Sequence, residues 1–288
     1  MRGPTGPRIF LASKRRPAAR RKGARTGADT KLRGPARRTL APGAFVNTAR
    51  QSRGAKRPAG GPQPVGRSDA GARAAFITRT YLHLLLAVFA FTGVQVALFG
   101  GGVAAPLVRA VSGERWLLAF AAFQIVAYCA RRVARRARTR RAQYLALGAF
   151  VLVQAVIFVP LLRTAQNAAP GVLESAVLVS ALGFAGLTAV AFVTRKDFSF
   201  LGGLLRFGFA MAFVLVVAAL LFGFRLGVYF NVGMVALAGG AILRDTSRVL
   251  QRYPKGRYVS AALELFASAA LLFWHVLRLA LRFSRRAR

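Results

Sequence analysis

The sequence predicts an all-α integral membrane protein, a seven-transmembrane-helix bundle preceded by a basic tail. Of the 288 residues, 55% are hydrophobic, and the mean hydropathy of +0.45 is too high for an ordinary soluble domain. The apolar residues are collected into long runs, and a run of about 20 such residues is what a membrane-spanning helix needs. The formal charge of +37 lies mainly in the tail and between these runs, which is typical of topology signals rather than of a nucleic-acid binder.

Residues 1–75 differ sharply from the rest. They contain 19 Lys or Arg and 2 Asp, are rich in Gly, Pro and Ala, and hold no hydrophobic run. Such a segment buries too little apolar surface to offset the entropy of ordering, so we predict a disordered cytoplasmic tail before a transmembrane domain at 76–288. The tail is expected to contact anionic lipid. A mitochondrial transit peptide is an alternative, whereas nucleic-acid binding is not expected because aromatic residues are not interleaved.

Seven apolar segments follow, and each is predicted to be a helix because backbone polar groups in lipid must be satisfied within the segment. The second is short and borrows from the loop before it. The predicted spans are 81–100, 116–130, 144–162, 172–194, 204–224, 226–243 and 259–283.

The charges of the loops predict the orientation. The tail and the loops after the second, fourth and sixth spans are the most basic, with seven Arg between residues 131 and 141 alone. This alternation predicts seven spans with the N-terminus in the cytoplasm. The arginines after the last span then face the other side, so a re-entrant seventh segment with both ends inside is the alternative.

Acidic residues near the spans are the candidates for chemistry. Asp245 ends the sixth span and Glu264 lies just inside the seventh. A carboxylate in the membrane is costly and usually pairs with another group or lines a water path. At about 100° per residue, Glu264, Ser268 and His275 share one face of the seventh helix. The acids that adjoin or enter the spans are Glu114, Glu174, Asp197, Asp245 and Glu264.

Purely structural roles for these groups remain open. Asp245 can pair with Arg248 three residues on, Glu264 can pair with an arginine of a loop, and His275 can anchor the far interface. With one Cys and two His, the chain is not expected to hold a Cys- or His-based metal site or a disulfide. No catalytic motif is present at a recognisable spacing, so we expect neither an enzyme nor a bound cofactor.

Four segments together resemble the Bax inhibitor-1 family, including its bacterial YccA-like members. They are TRKDFSFLG at 194–202, ILRDTS at 242–247, VSAALELF at 259–266 and FITRTY at 76–81. The first of these holds the loop motif Arg195, Lys196 and Asp197. The resemblance covers about residues 75–284 and implies a bundle in which six helices surround a central seventh.

The resemblance also implies a pH-sensitive calcium leak controlled by two coupled aspartates. The first corresponds to Asp245. The second corresponds to Ser268, where this sequence departs from the family, and Glu264 is a candidate substitute. A basic residue that closes the second span is implied to latch the pair, and Arg131 or Arg132 is the nearest match. Calcium passage by way of Asp245 and Glu264 is expected to be weak, because Ca²⁺ takes six to eight oxygens.

Two functions follow as hypotheses. The first is a calcium leak gated by Asp245, Glu264 and Ser268. The second is a non-conducting regulator that binds a membrane protease or another membrane protein in quality control, which the missing second aspartate favours. The Arg, Ala and Gly bias predicts the inner membrane of a GC-rich bacterium, with the mitochondrial inner membrane as the alternative.

Overall fold

A computed structural model describes residues 64–67, 69–111, 115–137, 139–168 and 170–286 of the chain. In these ranges the backbone forms helices and connecting loops, and no β-strand is present. The predicted all-α class is therefore confirmed for the described part of the protein. Most of the predicted tail, up to residue 63, lies outside the described residues.

The described residues form eight α-helices and two short 3-10 helices, with loops between them. The α-helices are α1 (Ala70–Gly100), α2 (Ala104–Val111), α3 (Arg115–Arg136), α4 (Arg140–Gln166), α5 (Val172–Thr194), α6 (Leu201–Phe222), α7 (Val228–Gln251) and α8 (Tyr258–Arg286). The 3-10 helices are Val65–Arg67 and Phe198–Phe200. The seven predicted spans correspond to α1 and to α3 through α8, and the fourth has the bounds of α5.

The described residues form eight α-helices where seven spans were predicted, and the additional helix is α2. Helix α2 has eight residues, too few to cross a bilayer, so a search for long apolar runs passes over it. Five helices are long and apolar enough to span a membrane: α1, α4, α5, α6 together with the 3-10 turn before it, and α8. Helices α3 and α7 fall outside this group because arginines and other polar residues interrupt their apolar runs. The protein is thus a multi-pass membrane protein.

Helix α1 begins at Ala70, so the predicted domain boundary at residue 76 is too late. The added turn is rich in alanine, the best helix former, although its charge and short length conceal it in a hydropathy pattern. The Arg73 guanidinium donates to the Gly66 carbonyl over 2.7 Å, and the Val65 N–H donates to the Tyr253 carbonyl over 2.8 Å. The segment before α1 is therefore anchored on the loop between α7 and α8.

Helix α8 is the most enclosed helix of the bundle. It packs against α1, α3, α4, α5 and α7, and 67% of its most apolar stretch is buried, against 11% for α6. Leu263, Leu265 and Leu277 are fully buried. The arrangement of six helices around α8 that the resemblance implied is incomplete here, because α6 packs against α7 and its own 3-10 turn instead. A methyl group on Gly208 would collide with Leu237, so glycine permits this close approach of α6 to α7.

The contacts at its two ends give the direction of α8 relative to α7. It is a continuous helix of 29 residues whose start lies near the end of α3, where Arg257 donates to the Arg135 carbonyl. Near its other end, Arg282 donates to the Leu226 carbonyl, just before α7 begins. Helix α8 is therefore antiparallel to α7 along its length.

Candidate functional site

The candidate site is the corner at which α7 ends and α8 begins. Helix α7 does not stop at residue 243 but continues to Gln251, since arginine is a good helix former. The extension places Asp245 and Arg248 on helical backbone that faces α8. They lie opposite Ser268 and Glu264 of α8.

Asp245 is buried, with 8% of its surface exposed. The Ser268 hydroxyl donates to its Oδ2 over 2.7 Å. Its Oδ1 lies 3.7 Å from Nη1 of Arg244 and 3.9 Å from Nη1 of Arg248. Ser268 of α8 therefore contacts Asp245 directly and supplies a hydrogen-bond donor to its carboxylate.

Glu264 is also buried, and it shares the same guanidinium. Its Oε2 accepts from Nη1 of Arg248 over 2.9 Å, and its Oε1 lies 3.8 Å from Nη1 of Arg135. That Oε1 has no hydrogen-bond partner within the described part of the chain. The neighbouring Tyr253 hydroxyl is buried in the loop that follows α7. Burial, together with the charge of Glu264, raises the pKa of Tyr253 well above its usual range, so this hydroxyl stays neutral.

The two arginines proposed as a latch have different surroundings. Arg131 lies on the side of α3 that faces the corner, within electrostatic range of Glu264 and Asp245, and its guanidinium stacks 5.7 Å from the centre of the Phe150 ring. Arg132 instead donates to the Tyr128 hydroxyl on its own helix. Sequence reasoning missed Arg135, which forms a second, longer ion pair with Glu264 beside that of Arg248. Its signal was the four-residue spacing from Arg131, which puts both on one helix face.

The loop motif after α5 contacts the end of α7 at this corner. Asp197 accepts from the N–H and the hydroxyl of Ser199 and pairs with Arg252. The Ser199 hydroxyl, followed by Arg252, lowers the pKa of Asp197 below its usual value. The carbonyl of Lys196 accepts from Ser247 and that of Arg195 accepts from Gln251, so both residues act here through their backbones.

The predicted polar face of α8 lies against α7. The His275 Nδ1 is 3.0 Å from Oδ1 of Asn231, and both side chains are buried. Between this pair and the Asp245–Ser268 pair lie the buried apolar residues Ile242 and Leu272. The far-interface role considered for His275 is replaced by an internal hydrogen bond, which the apolar neighbours of Asn231 in the sequence did not suggest.

The remaining predicted acids lie apart from the corner or outside the description. Glu174 is in the first turn of α5, at the other end of that helix from the loop motif. Glu114 falls between the described residues. Within the described ranges, no group of three His, Cys, Asp or Glu side chains is close enough to hold a metal ion. The corner offers paired charges and proton-exchanging groups.

Comparison with known proteins gives a consistent result. A family model described as "Inhibitor of apoptosis-promoting Bax1" matches residues 73–286. Bax inhibitor 1 of Arabidopsis thaliana is 29% identical over 131 residues, which is 43% of this chain and 52% of that protein. An uncharacterized protein of Pseudomonas aeruginosa is 33% identical over 111 residues, 38% of this chain and 49% of that protein. The chain thus spans about half the length of the curated relatives it matches.

Proposed function

The chain belongs to the Bax inhibitor-1 family, and on that premise we propose that it is a pH-sensitive calcium leak gated at the corner between α7 and α8. The observation that carries the proposal is the sharing of Arg248 by two buried carboxylates. Its Nη1 is 2.9 Å from Glu264 and 3.9 Å from Asp245. In this closed arrangement the guanidinium ties α7 to α8.

Protonation is the proposed trigger. Asp245 faces Arg244 and Arg248 on its own helix, Ser268 and Glu264 on α8, and the charge of Arg131 on α3. Carboxylates that interact this closely take up protons as a coupled group rather than singly. Loss of one negative charge weakens the attraction for Arg248 and allows the two helices to separate.

The gate is an altered version of the one implied by the family. Ser268 supplies a hydroxyl donor that stabilises charged Asp245, whereas a second aspartate would repel it. Glu264, through Arg248, is the substitute acid. We propose that pH sensing is correspondingly weaker, and that calcium passes with the help of carbonyls and water, because the two carboxylates supply too few ligands for tight binding.

Calcium flux into liposomes that contain the purified protein tests this proposal. The wild type and Asp245→Asn are compared at about pH 6 and about pH 8, which bracket neutrality, where an unperturbed aspartate does not titrate. We expect flux that depends on pH in the wild type and is altered in the variant. Flux no greater than in empty liposomes at both pH values would refute the leak.

A second function, a non-conducting regulator of a membrane protein such as a quality-control protease, has one supporting observation. Helix α6 exposes large apolar side chains along its length, including Phe213 at 69%, Leu221 at 75% and Phe222 at 79%. Such a face is suited to lipid or to a helix of another membrane protein. A photo-crosslinker placed at Phe213 in native membranes distinguishes lipid from a partner helix. A discrete protein adduct supports the regulator, and lipid adducts alone count against it.

The setting that we propose is the inner membrane of a bacterium, with the N-terminus in the cytoplasm and the basic tail against anionic lipid. The protein acts without a cofactor and is not an enzyme. The positive charge between the spans and the family membership support this setting.

A further inference from the structure

Two arginines near the end of α8 have no acidic partner. Arg278 and Arg282 are one helical turn apart, within about 40° on one face. Both are half-buried. Arg278 has no hydrogen bond or ion pair with any residue that the structure describes, and the like charge of Arg282 acts on it.

The surroundings of this pair are positive as well. The Arg282 guanidinium donates to the Leu226 carbonyl, which fixes it beside the first turn of α7. No side chain caps that turn at Gly227, so its N–H groups and the positive end of the helix dipole are directed to the same place. Arg225 is exposed in the loop just before it.

A half-buried guanidinium with no counter-charge is costly, and a second one nearby adds repulsion. The arrangement therefore requires an anion with several acceptor oxygens. Guanidinium groups match phosphate in a planar, two-bond geometry, and helix N-termini bind the same group. Both arginines lie in the last nine residues of a helix that is long and apolar enough to span a membrane, and such a helix end is where lipid phosphates are expected.

We propose that Arg278, Arg282 and the first turn of α7 form a binding site for a phosphate group, that of an anionic phospholipid. The lipid neutralises the two guanidiniums and joins the end of α8 to the start of α7. The site is at the opposite end of α8 from the corner that holds Asp245, and it does not depend on a calcium leak.

Retention of phosphatidylglycerol by the purified protein tests the site. The protein is reconstituted in nanodiscs of phosphatidylcholine with a minor fraction of phosphatidylglycerol, transferred to neutral detergent, and assayed for bound lipid by native mass spectrometry. Compared with the wild type, Arg278→Gln and Arg282→Gln are each expected to bind phosphatidylglycerol about fivefold more weakly, and the double variant still more weakly. Arg141→Gln, which removes an exposed charge from the first turn of α4, is the matched control and should bind as the wild type does.

Inorganic phosphate shows whether the site binds the phosphate of a lipid or free phosphate. It is added to lipid-stripped protein in neutral detergent, and the melting temperature is measured. A rise for the wild type but not for the double variant, with no preference for phosphatidylglycerol, would assign the site to free phosphate and overturn the lipid. Arg278→Lys is expected to retain part of the binding, which separates loss of charge from misfolding. Equal phosphatidylglycerol retention by the wild type and the double variant would overturn the site itself.

Discussion

At the scale of single residues, Arg248 holds the corner together because both buried carboxylates depend on it. Replacing it by glutamine leaves Glu264 buried with only the more distant Arg135 to offset its charge. Removing one partner of a buried charged hydrogen bond costs about 1–3 kcal/mol or more. We expect Arg248→Gln to lower the free energy of unfolding by about that amount, as measured by chemical denaturation in detergent.

A double-mutant cycle gives this prediction its control. If the loss comes from an unpaired charge, Arg248→Gln combined with Glu264→Gln should recover much of the stability, because the double variant leaves no buried charge at that position. If the double variant loses as much stability as the two single variants together, the result would contradict the ion pair.

Ser268 is the residue of α8 that donates a hydrogen bond to Asp245, and it gives a second prediction. Ser268→Asp places another carboxylate next to Asp245, in place of a hydroxyl that donates to it over 2.7 Å. A like charge at this distance favours protonation. The pH dependence should then become stronger: the ratio of calcium flux at about pH 6 to that at about pH 8 should rise by up to about tenfold, because one pKa unit is a tenfold change in the protonation equilibrium. Ser268→Asn, of similar shape without the charge, should leave the ratio as in the wild type, and an equal response of both variants would contradict the idea.

The sequence predicts part of this site because some of its residues are unusual in their context. Asp245 and Glu264 are acids in apolar segments, so they are conspicuous without any structure. Arg135 is one of seven arginines between residues 131 and 141, and its spacing from Arg131 indicates a shared helix face but not the partner of either side chain. Its role depends on the packing of α3 against α8, which is a tertiary contact. Asn231 was missed for the same reason, since its partner is 44 residues away.

At the scale of elements, the short helix Val65–Arg67 is held against the end of α7 by a close approach at Gly66. A Cβ added there would lie 2.6 Å from the Gln251 carbonyl oxygen, which is backbone and cannot move aside. We expect Gly66→Ala to destabilise the protein by about 1–3 kcal/mol, as overpacking does. The Val65 N–H, bonded to the Tyr253 carbonyl, should exchange faster with solvent by hydrogen-exchange mass spectrometry.

Gly71 provides the matched control for this change. A Cβ on Gly71 would meet nothing within 4 Å, and the residue is in the first turn of α1. Gly71→Ala should be neutral or stabilise the protein by up to about 1 kcal/mol, since alanine is the better helix former. Unchanged exchange at Val65 in Gly66→Ala would show that this contact does not hold the segment.

The loop between α5 and α6 gives a prediction about acid. Asp197 has a pKa lowered below 3.8 by Ser199 and Arg252, so its charged form is the one that the fold stabilises. Its contribution is present above the unfolded pKa and is lost as the pH falls through the lower, folded value. Asp197→Asn should therefore have a lower melting temperature than the wild type at about pH 6, and the difference should shrink as the pH falls below the usual aspartate pKa of about 3.9.

Asp69 is the control for that experiment, because it precedes α1 without capping it by its side chain. At about pH 6, Asp69→Asn should lower the melting temperature less than Asp197→Asn does. A difference for Asp197→Asn that persists at the acid end would assign its effect to something other than the carboxylate charge.

The elements themselves were largely predictable, and the exceptions have physical causes. Long apolar runs locate the helices because lipid forces their backbones into helices. The residues at which the helices begin and end are harder to predict, since lipid no longer dictates the backbone structure there. Helix α7 extends past residue 243 into a charged sequence, and α1 begins early at Ala70. The place of α6 beside α7 rather than α8 was not predictable, because it depends on how the helices pack and not on hydropathy.

At the scale of the whole molecule, charge distribution and helix direction can be tested together. Basic loops predict that the loop between α7 and α8 is cytoplasmic. Helix α8, at 1.5 Å per residue, is about 43 Å long, which exceeds the hydrocarbon core of about 30 Å. Its end should therefore be on the opposite side, even though that end is rich in arginine. The proposed phosphate site at Arg278 and Arg282 gives a physical reason why the cell tolerates such charge there.

Cysteine labelling in native membranes measures both sides. In a Cys129→Ser background, Lys255→Cys and Arg285→Cys each introduce one exposed thiol at opposite ends of α8. A membrane-impermeant maleimide should label position 255 only in inverted vesicles and position 285 only in intact spheroplasts. Labelling of both from the same side would contradict a membrane-crossing α8, because a continuous helix of 29 residues cannot return within itself. Labelling on opposite sides but with 255 outside would instead reverse the orientation, and the proposed gate at Asp245 would then respond to external rather than cytoplasmic pH.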